Sequence, residues 1–149
     1  MNRLEAAQNI IVTGGAGFIG GSFIREILKD KNKNIFNIDK CGYACDFQSL
    51  NFFNSFKNYS FFKIDLKNFN QIYNAINEIK PDLIVHFAAE SHVDRSINSP
   101  ISFIESNIMG TFNILESARL YWEKLSNSKQ ENFLFLHIST DEVYGSLNS

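Results

Sequence analysis

The chain has 149 residues, 44% of them hydrophobic and 20% charged, with a net charge of −2. That is enough for one sizeable core of ordinary globular composition, and the near-neutral balance gives no basic field to draw nucleic acid or anionic lipid. No apolar stretch approaches the ~18 residues of a membrane span, and the first nine residues, "MNRLEAAQN", are polar, so neither a signal peptide nor an anchor is expected.

Taken in order, the pattern alternates. "NIIVTG" (9–14) reads as a strand ending in glycine. Residues 18–30 follow with Phe18, Ile19, Phe23, Ile24, Ile27 and Leu28 spaced for one helix face. "NIFNID" (34–39) is the second strand, and 40–60 is a looser segment. "SFFKID" (60–65) is the third strand, then Phe69, Ile72, Ile76 and Ile79 mark a helix over 68–79 stopped by Pro81. "DLIVHFAA" (82–89) is the fourth strand. A long helix over 100–125, opened by Pro100, carries Ile104, Ile108, Phe112, Leu115, Trp122 and Leu125 on one stripe. "NSKQEN" is a polar loop, and "FLFLHIS" is a fifth, buried strand. Strands alternating with helices imply βαβ units and a parallel sheet covered on both faces.

"TGGAGFIGG" leaves the first strand and opens the first long helix. Gly14, Gly17 and Gly20 form one glycine register, and Gly15, Gly17 and Gly20 a second. In that context the early glycines allow a tight turn, Gly17 lets backbone approach a pyrophosphate, and Gly20 packs helix on strand. The helix N-terminus offers N–H groups to the anion. Asp39 ends the second strand, nineteen residues after Gly20, where an acid accepts hydrogen bonds from the adenosine ribose of a dinucleotide. Its charge repels a 2′-phosphate, which favours NAD over NADP; Lys40 beside it is a cation that blunts the preference. A P-loop is excluded, because no Gly-Lys-Ser/Thr follows. The fold expected is a Rossmann-type doubly wound α/β sheet of strand order 3-2-1-4-5, ending after the fifth strand.

"HFAAESHVDRS" follows strand four and "STDE" leaves strand five, so Ser91, Thr140, Asp141 and Glu142 can meet at one edge of the sheet. Read alone, Ser or Thr followed by acids also favours a helix start, and the two readings are compatible. Consecutive strand residues point to opposite faces, so the backbone must leave strand geometry at Asp141 if both acids serve one ligand.

"TGGAGFIG", "NIDKCGYA", "HFAAESHVDRSI", "FIESNIMGT" and "HISTDEVYG" together resemble the nucleotide-sugar 4,6-dehydratases of the extended short-chain dehydrogenase/reductase family, those acting on dTDP-glucose above all. The resemblance runs over nearly the whole chain, in the family's motif order. It implies NAD as cofactor, with Phe18 and Ile19 at the pyrophosphate and Asp39, Lys40, Cys41 and Gly42 around the adenosine ribose. The family more often has Leu-Thr where this chain has Cys41-Gly42. Asp65 and Leu66 would flank the adenine. Phe87, Ala88, Ala89 and Ser91 would line the dinucleotide crevice, Ser106 would add a contact, and Ser91 and Thr140 would reach the sugar. Asp141 would be the acid and Glu142 the base.

The implied reaction oxidises C4 of the hexose, which acidifies the C5 proton. Glu142 removes that proton, Asp141 protonates the departing C6 hydroxyl, and the hydride returns to C6. One carboxyl must be ionised while its neighbour is protonated, which proximity and desolvation allow.

The family's C4 base is a Tyr-x-x-x-Lys pair on the helix after strand five. "YSFFK" (Tyr59 to Lys63) has the spacing but lies in strand three, where four residues span roughly 13 Å. "YWEK" (Tyr121 to Lys124) has the wrong spacing. The expectation is therefore an incomplete NAD-binding domain over 1–149, without the substrate-binding domain and inactive alone; a longer parent would be a homodimer. The long helix would join that dimer, so its stripe with Phe112, Leu115 and Trp122 is expected to be partly exposed. The rivals are a nucleotide-sugar 4-epimerase, which needs no acid pair, and a non-catalytic NAD-binding module. Cys41 and Cys45 have neither a redox nor a zinc spacing and read as reduced thiols of a cytoplasmic protein. His86 and His137 read as core or site-lining residues, and no metal site is expected.

Overall fold

A computed structural model describes residues 3–145 and, at Val93, Arg95, Asp141 and Glu142, the backbone alone. A short helix α1 (Arg3–Ala6) precedes β1 (Asn9–Thr13), α2 (Phe18–Ile27), β2 (Asn34–Asp39), α3 (Phe47–Phe53), β3 (Tyr59–Lys63), α4 (Phe69–Ile79) and β4 (Leu83–His86). Then come α5 (Val93–Asn98), α6 (Pro100–Phe103), a π-helical segment (Ile104–Gly110), α7 (Thr111–Trp122), α8 (Asn127–Asn132), β5 (Leu134–His137) and a 3₁₀ turn (Asp141–Tyr144). The five strands form one sheet in the order β3-β2-β1-β4-β5, parallel throughout. Fold class and strand order are those expected.

The apolar runs explain why. Side chains alternate between faces, so Ile11, Ile38 and Ile84 meet Ile72 and Ile76 of α4 and Ile114 and Tyr121 of α7 on one side. Ile10, Val12, Ile35, Leu83 and Val85 meet Ile24 of α2 and Phe53 of α3 on the other. Strands covered on both faces must be apolar at nearly every position, as "IIV" and "LIV" are. Each fully buried isoleucine contributes about 1.5–3 kcal/mol from the area it removes from water.

Four expectations are corrected. The segment 40–60 holds α3, whose N-cap Asp46 accepts from the backbone N–H of Gln48 and Ser49. "NSKQEN" is the helix α8 rather than a loop. The helix over 100–125 is interrupted by its π-helical segment, whose i→i+5 bonding re-phases the chain; Ser117, Ala118 and Tyr121 then face the core, whereas Ile104, Ile108, Phe112, Leu115 and Trp122 are exposed. The outward stripe is the one expected, except that Leu125 packs against the core. Finally, "FLFLHIS" is not a buried strand. β5 lies at the sheet edge, with Leu134 and Phe135 half-buried and Leu136 and His137 exposed. No described helix is long and apolar enough to cross a membrane.

Candidate functional site

The carboxyl ends of all five strands open into one crevice of about 510 Å³, a size typical of small-molecule sites. Its first wall is the glycine loop. Gly14 has φ +73, and a Cβ there would lie 2.6 Å from the backbone nitrogen of Ala88, so only glycine lets the exits of β1 and β4 press together. A Cβ on Gly20 would lie 2.4 Å from the Gly14 carbonyl oxygen, so α2 is seated on the loop. Gly17 caps α2 without any side-chain acceptor, and no acid stands in the first turn. The free N–H groups of that turn, with Phe18 and Ile19, therefore face the crevice.

Asp39 ties this wall to the next. One carboxylate oxygen accepts from Ala16 N (3.0 Å) and the other from Cys41 N (2.8 Å). Lys40 reaches across the mouth to Glu90, with Nζ 2.6 Å from Oε1. Glu90 is itself fixed, since its N–H donates to Asn107 Oδ1 (2.8 Å) and its carbonyl accepts from Asn107 Nδ2 (2.9 Å). Asn107 belongs to the π-helical segment, so this interruption delivers both the clamp and the neighbouring Ser106 to the crevice.

Gly42, Asp65, Leu66, Phe87, Ala88, Ala89, Ser91 and Thr140 complete the walls together with residues that sequence reasoning left out, among them Tyr43, Cys45, Glu90 and His92. Cys41 is not among the lining residues; its Sγ lies 2.9 Å from that of Cys45. Glu90 stood inside a motif already singled out; its partner Lys40 is fifty positions away, so only folding reveals the pair. The backbone leaves strand geometry after His137 and enters the 3₁₀ turn at Asp141, as an acid pair serving one ligand requires. The side chains of Asp141 and Glu142 lie outside the described part of the structure.

Beneath the crevice, His86 is fully buried. Its Nδ1 lies 2.6 Å from Thr13 Oγ1 and its Nε2 3.0 Å from Thr111 Oγ1, and Thr13 Oγ1 also accepts from Ala88 N at 3.4 Å. Because Thr13 Oγ1 already accepts from Ala88 N, its own proton is free to go to Nδ1, which leaves Nε2–H donating to Thr111 Oγ1. Burial, and secondarily the charge of His137, push the imidazole down to about 4, so it is neutral at pH 7. His86 is thus a satisfied core residue, as expected. His137 is not: it is exposed and stacks on His86 at 5.1 Å. Among the described residues, no group of three or more His, Cys, Asp or Glu could hold a metal ion.

Tyr59 and Lys63 lie in β3. The Tyr59 phenol accepts from Asn37 Nδ2 at 2.9 Å, and burial pushes it up to about 12, the wrong direction for a proton acceptor at neutral pH.

Several known proteins are similar to this chain in sequence or in fold. A dTDP-glucose 4,6-dehydratase of Salmonella typhimurium is 48% identical over 140 residues, 94% of this chain and 39% of that protein. A dTDP-glucose 4,6-dehydratase of Bacillus anthracis, solved in complex with NAD, superposes with a TM-score of 0.78 at 34% identity, over 95% of this chain and 40% of that one. A UDP-Glc/GlcNAc 4-epimerase of Campylobacter jejuni also reaches 0.78, at 27% identity, over 93% of this chain and 39% of its own. The chain thus spans about two fifths of the length of such relatives. The family model described as GDP-mannose 4,6 dehydratase matches residues 11–149. The chain belongs to the GDP-mannose 4,6 dehydratase family.

Proposed function

We propose that this chain is the NAD-binding part of a nucleotide-sugar 4,6-dehydratase that converts dTDP-glucose to dTDP-4-keto-6-deoxyglucose and water. The observation that carries the reading is one crevice with an uncapped helix N-terminus and the Asp39 carboxylate at one end, and Thr140 leading into the acid-bearing turn at the other. Those groups suit a dinucleotide: N–H donors for a pyrophosphate, an acceptor for ribose hydroxyls, small residues where a flat ring would lie.

Bound NAD supplies reversible hydride exchange with the sugar. The chain's own residues do the rest. Gly14, Gly17, Phe18, Ile19 and Gly20 hold the pyrophosphate; Asp39, Lys40, Cys41 and Gly42 hold the adenosine ribose; Asp65 and Leu66 flank the adenine. Phe87, Ala88, Ala89, Ser91 and Ser106 line the rest of the cofactor's path, and Ser91 and Thr140 orient the hexose. Glu142 takes the proton from C5, and Asp141 gives one to the hydroxyl leaving C6. General acid and base steps of this kind are worth about 10²–10⁴-fold each.

An acid pair favours dehydration over 4-epimerisation, which removes no water. The described residues carry no Tyr-x-x-x-Lys on a helix, because Tyr59 and Lys63 sit in β3. We therefore read residues 1–149 as an incomplete NAD-binding domain that does not turn over sugar alone. The exposed stripe of Ile108, Phe112, Leu115 and Trp122 fits a homodimer seam in a longer protein, and free thiols at Cys41 and Cys45 fit a cytoplasmic setting.

The test uses a full-length protein bearing these residues. Glu142→Gln there is expected to stop formation of the 4-keto-6-deoxy sugar while leaving NAD bound. Dehydration at an undiminished rate would overturn the assignment.

A further inference from the structure

The rim of the crevice beside Asp39 carries a pair of thiols whose sulfur chemistry the proposed reaction does not use. The Sγ atoms of Cys41 and Cys45 are 2.9 Å apart, and a disulfide bond is about 2.05 Å. Both thiols are half-buried, whereas Gly42, Tyr43 and Ala44 between them are exposed, so a small reagent can reach the pair. Cys41 adopts φ +53, a left-handed conformation that costs an L residue about 1–2 kcal/mol. The turn is held by non-covalent contacts, among them Cys41 N–H to Asp39 Oδ1 (2.8 Å), Cys45 N–H to Gly42 O (3.2 Å), Asp46 N–H to Ala16 O (2.8 Å) and the Tyr43 ring edge-on to His92 at 5.5 Å. Gly42, Tyr43 and Cys45 line the crevice.

We propose that Cys41 and Cys45 form an intrachain disulfide on mild oxidation, a covalent latch that fixes the turn beside the cofactor ribose and raises cofactor affinity. The affinity half rests on the NAD reading given above.

The oxidant is a low-molecular-weight disulfide such as oxidised glutathione. The Cys41 thiolate attacks one glutathione sulfur, the glutathione S–S bond breaks, and one glutathione thiolate leaves. The Cys45 thiolate then attacks the Cys41 sulfur and expels the second. Two protein thiols lose two protons and two electrons, and the reagent becomes two thiols. The order follows from the site. Burial, then the hydrogen bond with Cys41, push the Cys45 thiol up to about 12, which makes Cys45 the slower group to open the exchange. Capping Cys41 removes its hydrogen bond and charge from Cys45, and the second attack is then intramolecular between sulfurs that start 2.9 Å apart. Affinity rises because the latch removes other turn conformations from the unbound state, so less ordering is left for binding to offset. A pair of this kind suits the transient, sensing disulfides found in reducing compartments.

The polypeptide is equilibrated with oxidised or reduced glutathione. Its intact mass, amide exchange over residues 41–46 and NAD affinity are then measured. Expected on oxidation are the loss of two hydrogens, slower exchange in that turn and NAD binding tighter by about threefold or more. In Cys45→Ser, the same reagent should leave a glutathione adduct at Cys41 and no tightening. Stable glutathione adducts on the wild-type chain, or a disulfide with unchanged exchange and unchanged affinity, would overturn the latch. If the reduced chain binds no NAD, the proposed function fails, and exchange over 41–46 alone decides the latch.

Discussion

The buried imidazole of His86 makes the fold sensitive to acid in a calculable way. A free histidine titrates near 6.5, and this one is held at about 4, chiefly by burial. Between those values the unfolded chain binds a proton that the folded chain refuses. Stability contributed at this site is therefore intact above pH 6.5 and falls as pH drops toward 4. At 1.36 kcal/mol per pH unit the full loss is about 3 kcal/mol, and at pH 4.5 it is about 2–3 kcal/mol. No screening discount applies, because the ring is fully buried between Thr13 and Thr111. Urea unfolding at pH 7 and pH 4.5 reads the effect, and His86→Gln isolates it from the carboxylates. The wild type should lose about 2–3 kcal/mol more than the variant over that interval. Ring-proton NMR gives a check that does not depend on the variant's folding: His86 should stay neutral down to pH 5. Parallel losses in the two proteins, or a His86 ring titrating near 6.5, would refute the reasoning.

Two further outcomes follow from packing. Gly14→Ala places a Cβ 2.6 Å from the Ala88 nitrogen at φ +73, and should cost about 2–5 kcal/mol in a thermal melt and abolish NAD binding; a native melting temperature would contradict it. Phe53→Ala empties the fully buried site through which α3 joins the core, and should cost about 3–5 kcal/mol by urea unfolding. A loss under 1 kcal/mol would mean that α3 is not docked there.

The alternation of apolar runs with helical spacing made the sheet and its order legible, because a strand buried on both faces, such as "LIV" of β4, has room for few polar residues. The glycine loop was legible because Gly14 and Gly20 answer to steric needs that no other residue meets. α3 was not legible, since only Leu50 and Phe53 of it are buried and two positions make no visible period. The π-helical segment was hidden for a related reason: a 3.6-residue period read through Ile104 and Ile108 cannot register an i→i+5 turn. β5 misled because an apolar run records what a strand can be buried against, and nothing described covers the outer side of Leu136. At the site, each wall came from a local motif, whereas the Lys40–Glu90 pair and its Asn107 clamp join segments far apart in sequence. The acid and base roles of Asp141 and Glu142 rest on motif and position.

The central claim is that Asp39 and the glycine loop form a site for NAD. Calorimetric titration of the polypeptide with NAD and with NADP tests it most directly. The account predicts saturable binding of NAD and weaker binding of NADP by about tenfold or more, the cost of setting a 2′-phosphate against the Asp39 carboxylate. Equal affinity, a preference for NADP, or no binding of either would contradict it.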